Sequence, residues 1–273
     1  MSGSGDARAG LARSAALEGA LWSAARRSTT PTMNHASLAA ALILAALCAC
    51  SSEEPKPAPT PAQVPAVDET PKVRPTDPQA PLTALAGYAT AQKIDTKRPN
   101  WRKTLPKPPK QLFPEGRKYY WNLATSAGDL KIELLTEVAP MHVSSTIFLT
   151  QLGYYDGLKF HRVIRGFMAQ GGCPDGNGGG GPGYQYEGEF DPKVRHTRGG
   201  LLSMANAGAG TDGSQFFVTF KDTPWLDDKH TIFGEVVADS LGTVKALEAA
   251  ADPKGGETPK LELVIQRATI TVE

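Results

Sequence analysis

The stretch FHRVIRGFMAQGG, residues 160 to 172, concentrates side chains that could act together in a reaction. Arg162 and Arg165 stand within a few positions of Phe167, Met168 and Gln170, with His161 directly before the first Arg. A half-exposed strand would alternate polar with apolar residues, and a turn would be small and polar. This segment does neither: it begins like a strand and ends in Gly171-Gly172. Arg stays charged and presents its donors in a rigid fork. Held against bulky apolar side chains, it suits electrostatic stabilisation of a charge or lone pair that appears during a reaction.

Other chemistries find little support. The five histidines (35, 142, 161, 196 and 230) form no HxxxH pattern, and Cys48, Cys50 and Cys173 have neither zinc spacing nor a disulfide framework. No metal is therefore expected, and His142 and His196 read as structural or exposed. Gly176, Gly178 and Gly181 make a G-x-G-x-x-G match, but no helix can start cleanly in the following GPGYQYEGEF and no GK[ST] is present. The glycines fit an exposed loop, and no nucleotide or other cofactor is expected. Cys173 has no basic neighbour in that loop and reads as a bystander thiol. DGSQF lacks the G-x-S-x-G elbow of a serine hydrolase. A net charge of +1 without a long basic run argues against nucleic-acid binding.

The elements that must position these residues are short strands. DLKIELL alternates Leu130, Ile132 and Leu134 with charged residues, and pairs with YYWNLAT as a hairpin across SAGD. APMHVSSTIFLTQLG, 139 to 153, has helical spacing with an early Pro140 and a terminal Gly153. LKFHRVI, GFMAQGG, GGLLSMAN, SQFFVTF, HTIFGEVV and LELVIQRATITV read as strands, and DSLGTVKALEAA as a second helix. The expected class is mainly β: a closed antiparallel barrel with two helices, since closure leaves no exposed edge.

The N-terminal part has a different character. The apolar run from Ala36 to Leu47 is too short to span a bilayer and suits a secretory signal, with Met33 as the expected true start. LCAC resembles a bacterial lipoprotein cleavage box, which would make Cys50 the lipidated first mature residue. Plain secretion is the alternative. The expected organisation is a leader over 1–50, a Pro-rich disordered tether and arm over 51–116, and a folded domain over 117–273. LTALAGYATAQKI could form a short helix, and Trp101 is a candidate docking point for the arm.

Four ordered motifs identify what the domain resembles: GYYDGLKFHRVIRGFMAQGG, GNGGGGPGYQYEGEF, HTRGGLLSMANAGAGTDGSQFFVTF and TPWLDDKHTIFGEVV. Residues 117 to 273 resemble the cyclophilin-type peptidyl-prolyl isomerases. The resemblance implies an eight-stranded antiparallel barrel capped by two helices. It places the catalytic arginine on Arg162 and the proline pocket on Phe167, Met168, Phe217, Leu226 and His230. Gln170 and Asn206 would hold the substrate backbone. Gly178, Ala205, Ala207 and Gln215 would line the adjoining groove, with His161 flanking the arginine. Trp225 matches a position associated with cyclosporin binding. Two departures stand out. Arg165 occupies a position that is commonly Pro, and Ser145-Thr146 stand where the family usually has Asn-Phe, with Phe148 available to refill that volume.

The implied reaction is rotation about X–Pro bonds in proline-containing polypeptide clients, as folding assistance in the periplasm by a monomer held at the membrane only through its lipid anchor. A proline-peptide-binding scaffold or holdase with little turnover is the alternative.

Overall fold

The structure, a computed structural model, describes residues 73–273. Its hairpin forms where alternation and a short turn coincide. Strand β1 (Tyr119–Thr125) pairs antiparallel with β2 (Gly128–Leu134), Trp121 opposite Ile132 and Leu123 opposite Leu130. The remaining strands are β3 (Arg162–Ile164), β4 (Met168–Gly171), β5 (Leu201–Met204), β6 (Phe216–Thr219), β7 (Ile232–Val236) and β8 (Ile265–Val272). They make one eight-stranded sheet in the order β3-β4-β6-β5-β7-β2-β1-β8. Trp121 lies at the centre of its aromatic core, 4.9 Å from Tyr155 and 4.8 Å from Phe216, edge to face.

The sheet is a half-barrel, which corrects the expected closed barrel. No ladder joins β3 to β8. A single bridge, Lys159 to Val264, and backbone bonds such as Phe160 N–H to Leu263 C=O (2.9 Å) span the seam. The β3 strand is only three residues long, and its Val163 N–H donates to the Glu257 carbonyl of a loop instead of to a strand.

The described residues hold three α-helices: α2 (Pro140–Gln151) and α3 (Leu241–Ala249) are the two expected of the domain, and α1 (Ala80–Ala91) forms in the arm where LTALAGYATAQKI offered a short helix. The extra helix corrects the expectation of a disordered segment through residue 116. In α2, every residue from His142 to Thr150 is buried, so the helix has no face that can meet water. Residues 74 to 116 provide its cover. Leu85, Leu105 and Phe113 belong to the main core, and Tyr88 of α1 meets Phe148 of α2 edge to face at 5.8 Å. Phe148 thus fills space beneath the arm, while Ser145 bonds the Tyr184 hydroxyl at 2.8 Å. Trp101 docks against Tyr154, and Arg102 donates to the carbonyls of Tyr154 and Asp156. The arm passes so close to Gly183 that a Cβ there would lie 2.7 Å from the Lys103 carbonyl.

The N-terminus of α2 lacks a cap of its own, because Ala139 precedes it. The Glu189 carboxylate accepts the backbone N–H groups of Met141 and His142 instead, and also contacts His142 Nδ1 at 2.8 Å. The other ring nitrogen of His142 lies 2.8 Å from Asp212 Oδ2. A neutral imidazole would turn a lone pair toward one of these carboxylates, so the pair of contacts favours the imidazolium. Burial works to lower the His142 pKa, but hydrogen bonds and charge from Asp212 and Glu189 outweigh it and hold it above the usual 6.5.

Two outcomes follow. Leu85→Ala should destabilise the protein by about 2–5 kcal/mol, measured by denaturant unfolding; a change near zero would show that the arm is not part of the cooperative unit. The stabilisation from His142 should be complete below the unfolded His pKa and disappear as pH rises through the raised folded value. Nuclear magnetic resonance titration of the ring should accordingly give a midpoint above 6.5, and a midpoint at or below it would contradict this account.

Candidate active site

The segment that resisted a simple reading is two short strands joined by a turn. Phe167 N–H donates to the Ile164 carbonyl at 3.0 Å around Arg165-Gly166, bringing β4 back along β3. Directly opposed residues in antiparallel strands share a face of the sheet. Arg162 lies opposite Gln170, Gln170 opposite Phe217, and Phe217 opposite Ser203, so these four form one row across β3, β4, β6 and β5. Their neighbours Val163, Ala169, Val218 and Leu202 point the other way, into the main core.

On the row's own side lies a second apolar cluster, separate from that core. Met168, Phe217 and Leu226 are buried together, with Ile164, Phe167 and Ala205 packed against them. Arg162 stands beside it. Its Nη1 donates to Gln170 Oε1 at 3.4 Å, while Nε and Nη2 each donate to one carboxylate oxygen of Glu257 at 2.9 Å. Gln170 passes the connection on, donating to Gln215 Oε1 at 3.0 Å, and Gln215 donates to the carbonyls of Gly178 and Gly180. A cation, a row of amides and the glycine loop are thereby joined in one hydrogen-bonded line.

Beyond this line a cavity of about 610 Å³ opens, lined by Gln170, Gly178, Ala205, Asn206, Ala207 and Gln215, and walled on one side by Lys103 of the arm. Asn206 contributes in an unexpected way. Its side-chain amide donates to Asp212 Oδ1 (2.8 Å) and to the Lys229 carbonyl (2.9 Å), and its Oδ1 accepts Gly208 N–H. Both donors of the side-chain amide are thus engaged, tying its loop to Asp212 and to the loop that carries Lys229. Through Asp212, the buried His142 is tied to this edge of the groove.

The other expected site residues fall around the apolar cluster. His230 donates from Nδ1 to the Met204 carbonyl (2.9 Å) and meets Phe217 edge to face at 5.5 Å. Phe217 also stacks on His196, which contacts Asp227 and Ser203. Trp225 lies on the rim, 52% exposed and 5.9 Å from Phe167. Burial, opposed by a hydrogen bond to the Lys159 backbone and assisted by the adjacent Arg162 charge, holds the His161 pKa below its usual value. Cys173 is buried, its Sγ accepting the N–H groups of Gly178 and Gly180 at 3.3 Å. Cys50 lies outside the described residues. Sequence reasoning missed Glu257, the Glu189–His142–Asp212 chain and Lys103. None stands near Arg162 in sequence, and each is an ordinary charged or polar residue until the fold places it.

Known proteins bear on the family and the fold. Residues 120–270 match the family described as cyclophilin type peptidyl-prolyl cis-trans isomerase/CLD. The chain is 46% identical over 154 residues to peptidyl-prolyl cis-trans isomerase-like 1 of Gibberella zeae, an alignment covering 55% of this chain and 94% of that protein. It is 44% identical over 165 residues to peptidyl-prolyl cis-trans isomerase A of Mycobacterium tuberculosis, covering 55% and 90% respectively. A solved cyclophilin type peptidyl-prolyl cis-trans isomerase of Cryptosporidium parvum superposes with a TM-score of 0.53 at 34% identity, over 56% of this chain and 98% of that one. A further structure of that protein, in the presence of the dipeptide Ala-Pro, has the same TM-score at 36% identity. With an arginine on the same sheet face as a separate apolar cluster, on a half-barrel of this topology and with relatives of this identity, the chain belongs to the cyclophilin-type peptidyl-prolyl cis-trans isomerases.

Proposed function

We propose that this isomerase assists the folding of proline-containing polypeptides outside the cytoplasm, and that Arg162 is its catalytic residue. The observation that carries the assignment is the guanidinium at the edge of an apolar cluster that is not part of the main core. Rotation about X–Pro faces a barrier of roughly 20 kcal/mol because the amide is resonance-stabilised. No bond breaks, so no nucleophile is required. In the twisted state the proline nitrogen becomes pyramidal and regains a lone pair. A donor aimed at that nitrogen stabilises the twisted amide more than the planar one. Three N–H groups of Arg162 are engaged by Glu257 and Gln170, and an arginine has five.

The proline ring enters among Phe167, Met168, Phe217 and Leu226, backed by His230. Gln170 and the main chain of Asn206 hold the flanking peptide, which continues along the groove lined by Gly178, Ala205, Ala207 and Gln215. The Ala-Pro dipeptide present with the Cryptosporidium parvum relative supports such a ligand. The exposed Trp225 is the contact for a cyclosporin-type inhibitor. The extracytoplasmic location rests on the apolar run before Cys50, with lipidation of that cysteine as the anchor of a monomeric, periplasmic protein. Among the described residues no helix is long and apolar enough to cross a membrane.

The test is cis-to-trans conversion of an Ala-Pro peptide by the full chain, wild type beside Arg162→Ala. The wild type should accelerate conversion and the variant should lose about 10²-fold or more, as loss of a transition-state donor does. A folded wild type without turnover would make this chain a proline-peptide binder instead.

A further inference from the structure

The loop that spans the open seam also reaches the catalytic arginine. After α3 the chain runs through Asp252, whose carboxylate accepts the N–H groups of Lys254 (2.9 Å) and Gly256 (3.2 Å) and folds the segment into a tight turn. Gly255 has φ +83°, and a Cβ on Gly256 would collide with the Asp252 carboxylate. The turn delivers Glu257 to β3 twice. Its carbonyl accepts Val163 N–H at 2.7 Å, and its carboxylate takes the Nε and Nη2 donors of Arg162 side-on. A surface ion pair between two long side chains usually wanders. Here one partner is fixed through its backbone to the strand that carries the other, so the fork meets a carboxylate whose position is set.

We infer that Glu257 is a positioning residue for the isomerase reaction, holding one edge of the Arg162 guanidinium so that its Nη1 edge faces Gln170 and the proline pocket. A guanidinium is planar, so engaging the Nε–Nη2 edge determines where Nη1 points. Without Glu257, Arg162 would retain only the longer 3.4 Å contact to Gln170 and the side chain's own torsions would set its aim. Misplacement of a donor by a fraction of its bonding distance lowers the rate without lowering ground-state affinity equally, because the interaction belongs to the transition state.

The ionisation of Glu257 provides a signature. The hydrogen bonds from Arg162, and then its charge, hold the Glu257 carboxyl below the usual carboxylate range. The groups around it are Arg162 and His161 on one side and the Lys159–Glu262 pair on the other, all lining one cavity of about 590 Å³. Protonation of Glu257 frees the guanidinium edge, so activity should fall as pH drops through that depressed range. Glu257 is 61% exposed, so the fold should not depend on it.

This inference rests on the role proposed for Arg162, and the experiment separates the two. Exchange between the cis and trans forms of an Ala-Pro peptide, followed by magnetic resonance without a coupling protease, is measured for the full chain as wild type, Glu257→Ala, Glu257→Gln, Arg162→Ala and the double variant Arg162→Ala/Glu257→Ala. Glu257→Ala should lose about tenfold in kcat with KM changed less than twofold. Glu257→Gln, which keeps one acceptor, should fall between it and the wild type and lose the acid limb of the pH profile. In the Arg162→Ala background, removing Glu257 should cost nothing further. Loss of activity in Arg162→Ala with Glu257→Ala equal to or faster than wild type would overturn the positioning role while leaving that of Arg162 intact. A further loss in the double variant would overturn it as well, since the effect would not pass through Arg162. A wild-type activity indifferent to Arg162→Ala would remove the catalytic assignment and this inference with it.

Discussion

Strand pleating allows each residue in β3, β4, β6 and β5 only one of two faces, and every feature of the site follows from how that choice is made. Val163, Ala169, Val218 and Leu202 take the core side, and Arg162, Gln170, Phe217 and Ser203 take the other. Because both faces are packed, register cannot slip by one residue without driving a guanidinium into the core. The register that fixes the core therefore also fixes which side chains face the site. Strand geometry sets Met168 and Phe217 of the apolar cluster, and the short 3-10 turn Pro224–Leu226 between β6 and β7 closes it with Leu226. Loops add what strands cannot: Asn206, the glycines that receive Gln215, and Glu257.

The second dependence runs through α2. A helix buried on all sides needs neighbours on all sides, and the half-barrel supplies only some of them. The arm supplies the rest with α1, Leu105 and Phe113. It also reaches the ligand groove, where Leu105 N–H donates to the Pro182 carbonyl and Lys103 pairs with Asp175. Packing of the helix and the shape of the glycine loop are thus set by the same segment.

Much of this was legible in the sequence, for identifiable reasons. The β1–β2 hairpin announced itself through alternation around a short turn, and α2 through its early Pro140 and terminal Gly153. The order of the four motifs made Phe167, Met168, Phe217 and Leu226 expected neighbours, and the structure packs them into one cluster. Residues 160 to 172 failed the alternation test because apolar side chains serve both faces there, one toward the core and one toward the ligand. The docking of the arm beyond α1 was hidden by the prolines of residues 99 to 114, which disfavour regular elements but not packing; Leu105 sits directly before Pro106 and is nonetheless buried. The open seam and Glu257 could not be read at all. Both depend on a bond between β3 and a loop far along the chain, and nothing in GGETP distinguishes a carboxylate held on an arginine from one in solvent.

The pairing of β1 with β8 has a consequence for biosynthesis. β1 is the second strand of the sheet from that end, with β2 on one side and β8 on the other, and β8 follows every other strand in the chain. While a ribosome makes this protein, β1 gains its β2 partner almost at once, but its other edge waits until β8 emerges. During that interval a row of unpaired amides and carbonyls flanked by Tyr119 and Trp121 is open to any strand that passes. The topology thus builds into this isomerase an interval in which its own edge needs protection.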